Sequence, residues 1–187
     1  QTKILPEQRE KCLEYFGTPE NMFIAPREKV EKAEFLSEPA RAALLVSRTE
    51  EELQREEKEM TEKGIVFYSR EHEAYPARLK EIHHPPCGLF VRGRLPHFEK
   101  EKKEVQAAAV VGARWASHAG LSLAKETAGA LAEEGIPVIS GMASGIDGAA
   151  QEAALMAGGE SYAVLGCGPD ICYPRHNAGL YRMLENK

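Results

Sequence analysis

The sequence has few of the features that mark secreted, metal-binding or membrane proteins. Its 187 residues include four cysteines, none of them in a Cys-x-x-Cys pair, which argues against a zinc site or a disulfide framework. No apolar run approaches the roughly 18 residues of a membrane-spanning helix, and no basic segment followed by an apolar one opens the chain. We therefore expect a cytoplasmic protein without membrane contact, metal or cofactor.

Positive charge is also scarce, which limits how the chain could bind nucleic acid. There are 24 lysines and arginines against 29 acidic residues, a net charge of −5, and neither the part up to residue 104 nor the part after it is basic. A nucleic acid would have to be held by a few placed cations and backbone amides. The chain begins at Gln1 rather than methionine, so we expect a processed N-terminus or a piece of a longer protein.

Residues 1–64 show helical periodicity interrupted by glycine and proline, with no convincing strand. Ser37 is placed to cap a helix. Thr49 with Glu52 three residues later forms a capping box for a helix over residues 50–63. That helix is charged nearly all round, which is typical of a solvated surface. The pattern predicts a small all-helical module.

Short apolar runs replace this pattern from residue 65 onward. Residues 65–68 and 88–91 are candidate strands, and three further runs are each followed by glycine and a helical stretch, which is typical of parallel βαβ units. The runs are Ala107–Val111, Pro137–Ile139 and Tyr162–Leu165, and the helices are His118–Glu134, Asp147–Ala157 and Asn177–Leu184. We predict an α/β domain with a mostly parallel sheet and flanking helices. Because the runs are apolar without alternation, we expect both sheet faces to be covered.

The first glycine-bearing loop follows the first of these runs, at the edge where parallel sheets bind ligands. Gly112 permits a close backbone approach, and Ser117 can cap the next helix. Arg114, beside Ala113, brings a permanent planar cation, so the loop suits a phosphate; pairing of Arg114 with a surface carboxylate is the alternative. Trp115 could stack on a base or pack against the protein.

The second loop, Ser140–Asp147, has glycines that let a ligand approach the backbone. Gly141 and Gly145 bracket small side chains, including Ser144. We expect Asp147 to be the cap or a first-turn residue of the next helix, where its carboxylate satisfies free amides. A catalytic role for Asp147 is the alternative.

The third loop carries Gly166, Cys167 and Gly168, with Asn177 further along the chain. It matches neither the G-x-G-x-x-G pattern of dinucleotide sites nor the G-x-x-x-x-G-K-[ST] pattern of nucleoside-triphosphate sites. Cys167 lies nine residues before His176, but no oxyanion-hole arrangement accompanies the two. We therefore interpret Cys167 as a small buried thiol rather than a nucleophile.

Taken together, these loops resemble the DNA-processing protein A family. The resemblance is carried by Val110–Arg114, Ser140–Asp147, Gly166–Asp170, Tyr173, Pro174 and Asn177, preceded by the lead-in Tyr75–Gly93. It implies that residues 65–187 are the N-terminal part of an extended Rossmann-like DNA-binding domain and that residues 1–64 form a sterile-alpha-motif-like module. It also implies binding of single-stranded DNA without strong sequence preference, protection of incoming DNA during natural transformation, and loading of the RecA recombinase, without catalysis.

The resemblance further implies which residues bind the strand. Arg114 is the family's strand-binding arginine, and the three loops line its pocket. The predicted nucleic-acid-binding residues are Gly112, Ala113, Arg114, Ser117, Ser140, Gly141, Ser144, Gly145, Asp147, Gly166, Cys167, Gly168 and Asn177. Two positions depart from the family: Ser144 stands where some members have lysine, and Gln151 where histidine is usual.

The family's domain continues beyond Lys187, and the continuation would carry the homodimer and recombinase contacts. A sheet that ended here would expose an edge and apolar helix surface, so we expect a longer parent protein or self-association. One alternative function is a nucleotide-binding enzyme similar to the phosphoribohydrolases of nucleoside monophosphates, whose Pro-Gly-Gly loop is absent here. A nucleotide-sensing or purely structural Rossmann domain is the other.

Overall fold

The computed structural model of the protein describes residues 6–96 and 106–186. The chain divides into two compact units, a helical unit, Gln1–Glu62, and a C-terminal unit, Lys63–Lys187, which combines helices with strands. No helix in the described ranges is long and apolar enough to cross a membrane.

The described part of the helical unit contains five helices, and the predicted caps Ser37 and Thr49 precede the last two of them. They are α1 (Pro6–Phe16), α2 (Pro19–Ile24), α3 (Arg27–Glu31), α4 (Glu38–Val46) and α5 (Glu50–Glu62). Ser37 Oγ accepts a hydrogen bond from Ala40 N, and Thr49 Oγ1 accepts one from Glu52 N, so each hydroxyl satisfies an amide that a helix start leaves free. The core comprises Cys12, Phe16, Ala25, Val30, Ala33, Leu36, Ala40 and Leu44. The charged helix α5 buries none of its residues, as its composition predicts.

The C-terminal unit begins with an antiparallel pair of strands. β1 (Ile65–Ser69) pairs with β2 (Gly88–Arg92), and Phe67 lies opposite Phe90. The connection between the strands contains a 3₁₀ turn over Ala77–Glu81. The buried Tyr75 anchors this connection, because its hydroxyl donates a hydrogen bond to Pro86 O at 2.9 Å.

Among the described residues, three parallel strands follow in the order β3-β4-β5, with one helix after each strand. The strands are β3 (Ala108–Ala109), β4 (Val138–Ser140) and β5 (Ser161–Ala163), and the helices are α6 (His118–Glu133), α7 (Ile146–Met156) and α8 (Ala178–Glu185). Ala108 pairs with Val138, which pairs with Ser161. The alternation of strand and helix confirms the predicted α/β, Rossmann-like fold. The first strand is shorter than the apolar run that predicts it.

The parallel sheet is covered on one face within the described ranges, so the prediction of two covered faces is wrong for this part of the chain. Because the strands are adjacent in chain order and crossovers are right-handed, α6 and α7 lie on the same side. They pack there on β4 through a cluster composed of Ala124, Ala128, Ala132, Val138, Ala150 and Ala154. The opposite face has Ala109, Ile139 and Tyr162, none of which is buried, and Val111 and Val164 just beyond the strand ends are 67% and 70% exposed. Apolar sequence alone does not show which face is covered.

An ion pair joins the third loop to the start of the C-terminal unit. Lys63 Nζ lies 2.9 Å from Asp170 Oδ2, and this hydrogen bond is the main reason that the pKa of Asp170 lies below its ordinary value of 3.8. Since the carboxylate is favoured by folding, the pair adds stability above pH 3.8 and loses it as the pH falls through the lowered pKa.

We expect Asp170→Asn to abolish this part of the acid dependence. In urea unfolding from pH 6 to about pH 2, the difference in stability between the wild type and the variant should stay constant above pH 3.8 and narrow as the pH falls below it. Parallel losses in the two proteins would show that the ion pair does not contribute.

Candidate nucleic-acid interface

Asp147 joins the first two loops. It lies in the first turn of α7, as predicted, and is 7% exposed. Its Oδ1 accepts a hydrogen bond from Gly112 N and its Oδ2 accepts one from Gly141 N, both at 3.1 Å. The amides that it satisfies therefore belong to the two loops, and both carboxylate oxygens are engaged.

Two glycines allow the first and second loops to touch through their backbones. Gly145 has φ +80°, and a Cβ there would collide with Ala113 O and lie 2.6 Å from Arg114 O. A Cβ on Gly112 would lie 2.8 Å from Ile146 Cγ1. The contact is closed by Ile146 N, which donates to Ala113 O at 3.2 Å. Any larger residue at either glycine would push the loops apart.

A buried amide side chain supports the second loop from below. Gln151 is fully buried; its Oε1 accepts a hydrogen bond from Met142 N at 2.8 Å, and its Nε2 donates to Ser161 Oγ and Tyr162 O, both at 3.1 Å. Met142 has φ +55°. The amide thus fixes an unusual loop conformation against β5. The sequence identifies Gln151 only as a departure from the family pattern.

Several predicted site residues spend their side-chain hydrogen bonds on the protein itself. Asn177 Nδ2 donates to Met142 O at 2.9 Å and to Ala143 O at 3.2 Å. Ser140 is buried, and its hydroxyl donates to Val110 O at 2.6 Å. Ser117 caps α6 by accepting a hydrogen bond from Gly120 N at 3.2 Å.

The third loop brings a partly exposed thiol to the same edge. Cys167 is half-buried, and its Sγ donates to Ile171 O at 3.6 Å. The expectation of a buried thiol is therefore wrong, because the loop leaves one side of Cys167 open. His176 does not face it; His176 Nε2 lies 3.1 Å from Ser144 Oγ. Residues 6–96 and 106–186 contain no cluster of His, Cys, Asp or Glu side chains that could hold a metal ion.

Arg114 lies where two cavities meet. Its side chain is exposed, and no carboxylate of the described part of the chain lies within ion-pair distance of it. It lines one cavity of about 470 Å³ and a second of about 360 Å³. The described residues therefore offer Arg114 no carboxylate for the surface ion pair that was the alternative to phosphate binding.

The two cavities separate the predicted residues into two groups. The larger cavity is lined by Arg114, Gly145 and Asn177, and the smaller by Arg114, Gly141, Ser144, Gly166 and Cys167. Neither cavity is lined by Gly112, Ala113, Ser117, Ser140, Asp147 or Gly168. Most residues of this last group shape the loops through the contacts described above.

Sequence reasoning misses several residues that line the cavities. Lys125, Glu152 and His176 contribute to the larger cavity, and Tyr173 and Pro174 to the smaller. Lys125 lies four residues after Leu121, which also lines the cavity. Residues four apart lie on the same face of a helix, so this spacing could have predicted that the two side chains share a surface. Lys125 adds a second cation to the lining of the cavity that Arg114 also lines.

Comparison with known proteins identifies the relatives of this chain. Residues 66–187 match the family of the DNA recombination-mediator protein A. The chain belongs to this family. The resemblance inferred from the loops is confirmed, and the matched segment contains all three of them.

The curated relatives include two proteins with substantial identity. Protein Smf of Synechocystis sp. is 33% identical over 126 residues, which are 67% of this chain and 31% of that protein. DNA processing protein DprA of Streptococcus pneumoniae is 38% identical over 114 residues, which are 61% of this chain and 38% of that protein. The chain thus spans about a third of the length of these family members.

A solved structure resembles the chain over nearly its whole length. The X-ray structure of DNA processing protein A (DprA) from Streptococcus pneumoniae has a TM-score of 0.67 and 27% sequence identity. The similarity covers 98% of this chain and 61% of that one. It supports the Rossmann-like fold as well as the family.

Proposed function

We propose that the loop edge of the C-terminal unit binds single-stranded DNA without strong sequence preference, as part of DNA processing. The observation that carries this proposal is the position of Arg114, which is exposed between two cavities without a carboxylate partner in the described part of the chain. An arginine in this state has its guanidinium donors available for a phosphate. The names of the family and of the relatives, which refer to DNA processing and recombination, support DNA as the source of that phosphate.

The small number of cations determines how such binding should behave. Arg114 and Lys125 line the larger cavity, but the carboxylate of Glu152 lines it as well. With a net charge of −5, the protein has no broad positive field to attract a strand. We therefore expect a shallow salt dependence, with about one to three counterions released per protomer.

We propose that the site binds without catalytic turnover. Asp147 is the only carboxylate among the predicted site residues, and both of its oxygens accept backbone hydrogen bonds. A nearly buried carboxylate whose two oxygens each bind a loop amide is suited to holding the loops in place rather than to contacting a substrate. Incubation with nucleoside monophosphates should release no free base, whereas release would favour the phosphoribohydrolase alternative.

The name of the family, DNA recombination-mediator protein A, supports a cellular role in recombination. We propose that the protein acts in the cytoplasm, protects incoming single strands during natural transformation and helps to load the RecA recombinase on them. We also propose that the full-length protein does this as a homodimer. Displacement of a single-strand-binding protein by RecA, measured with and without this protein, tests the loading step.

Arg114→Ala should weaken binding of single-stranded oligonucleotides about 10- to 100-fold, because it removes a charged hydrogen bond to phosphate. The loss should be similar for every base composition, and the slope of log affinity against log salt should fall by about one. Fluorescence anisotropy with labelled oligonucleotides at several salt concentrations measures both quantities.

Arg182→Ala is the matched control for this variant. Arg182 is an exposed arginine on α8 that lines neither cavity, so its loss changes the net charge equally and should leave affinity nearly unchanged. If both variants bind like the wild type, the loop edge is not the DNA site. Equal losses in the two would indicate attraction by overall charge.

A further inference from the structure

Trp115 is the single tryptophan of the chain, and its side chain is 98% exposed. Tryptophan is usually highly buried in folded proteins, because its large apolar surface favours removal from water. No aromatic ring contact or hydrogen bond of Trp115 occurs among the described residues. The indole therefore contributes little to the packing of this fold.

The position of this indole relates it to the phosphate site. Trp115 follows Arg114 directly, so their Cα atoms are about 3.8 Å apart, and both line the cavity of about 470 Å³. This volume lies in the range of roughly 300–1,000 Å³ that is common for small-ligand sites. A nucleotide whose phosphate contacts Arg114 would place its base in reach of the indole.

We propose that Trp115 stacks on a base of the strand whose phosphate Arg114 binds. This inference rests on the proposed function and adds the selection of single strands over duplex. In a duplex, both faces of each base are covered by its neighbours, whereas a single strand can turn a base face outward. Because every base has a π face, the contact favours single strands without reading sequence.

The chemistry of the cavity supports stacking rather than recognition of one base. Apart from Lys125 and Glu152, most of its lining is glycine, alanine or leucine, which cannot read a base edge, and the Nδ2 group of Asn177 already donates to Met142 O and Ala143 O. We therefore expect homopolymers of different bases to bind with affinities that differ less than the affinities of single-stranded and duplex DNA do.

The single tryptophan makes a direct test possible. Titration of the wild-type chain with a thymidine oligonucleotide should quench its intrinsic fluorescence, since the indole is the sole tryptophan emitter. An abasic oligonucleotide of the same length and charge should bind more weakly and leave the emission almost unchanged. Anisotropy of labelled strands gives the affinities independently of the tryptophan.

Trp115→Ala should weaken binding of the thymidine strand about 5- to 100-fold and leave binding of the abasic strand unchanged. Trp115→Phe should retain part of the affinity, because the smaller ring still stacks. Both variants should unfold at the wild-type temperature, since the side chain is exposed. Phe90→Ala removes an exposed aromatic outside both cavities and should alter neither affinity.

The outcomes separate the inference from the proposed function. If Trp115→Ala binds the thymidine strand like the wild type while Arg114→Ala binds it weakly, stacking is overturned and the phosphate site stands. An equal loss on both strands would also overturn stacking, because an abasic strand offers no base. If the wild type binds neither strand, the proposed function fails and the stacking inference fails with it.

Discussion

Replacement of Asp147 by alanine is expected to lower the free energy of unfolding of the C-terminal unit by about 3 kcal/mol. The carboxylate is almost fully buried and accepts hydrogen bonds from Gly112 N and Gly141 N. Alanine would remove two hydrogen bonds between loop amides and a charged group, each of which contributes about 1.5–3 kcal/mol. The variant should also lose affinity for single-stranded DNA, because the first loop positions Arg114.

Urea unfolding followed by circular dichroism measures the stability, and Asp147→Asn refines the interpretation. Asparagine keeps one acceptor oxygen but turns an amide group toward the other donor, so its stability should lie between those of alanine and the wild type. Glu133→Gln, which neutralises an exposed carboxylate on α6, should stay within about 0.5 kcal/mol of the wild type. If Asp147→Ala is as stable as the wild type, other contacts hold the two loops together.

Local signals explain why the helices of the C-terminal unit are predictable. Ser117 satisfies an amide at the first turn of α6, and Gly135, with φ +70°, follows its end. The predicted range 118–134 therefore differs from the observed helix by one residue. The start of α7 is found because small residues and glycine precede Asp147. Each of these signals acts within a few residues of the chain.

The contacts that shape the site are harder to predict because they join distant positions. The amide of Asn177 binds carbonyls 34 and 35 residues earlier, and Gln151 connects Met142 with β5. Their partners follow from the register of strands and helices, which the sequence pattern leaves open. For the same reason, the sequence does not show that the hydroxyl of Ser140 donates a hydrogen bond to Val110 O and is therefore not available to a ligand.

Coverage of the sheet depends on topology in the same way. Apolar residues such as Ala109 and Ile139 predict burial, yet on the face opposite α6 and α7 Ala109 is exposed and Ile139 only partly buried. The direction of two successive right-handed crossovers decides that side. The apolar composition of the strands indicates that their side chains favour burial. Only the fold shows whether the described residues cover both faces of the sheet.

Gly145→Ala is expected to disrupt the site more locally than the loss of Asp147 and to lower stability by at least about 3 kcal/mol. The residue has φ +80°, and its new Cβ would collide with Ala113 O and approach Arg114 O. The strain of this backbone conformation is about 1–3 kcal/mol for a residue with a side chain, and the collision adds to it. Relief requires the first loop to move, which displaces Arg114 from the junction of the cavities. Urea unfolding and oligonucleotide anisotropy should both report the change.

Gly129→Ala provides the control, because it makes the same chemical change where the structure allows it. Gly129 lies inside α6, and a Cβ there would have nothing within 4 Å. Since glycine destabilises a helix interior by roughly 0.5–1 kcal/mol relative to alanine, this variant should gain stability and bind DNA normally. The stability should fall in Gly145→Ala and rise in Gly129→Ala, because only Gly145 lies at the backbone contact between the first and second loops. A Gly145→Ala protein with wild-type stability and affinity would mean that the first and second loops do not touch through their backbones. The position of Arg114 between the two cavities would then be contradicted as well.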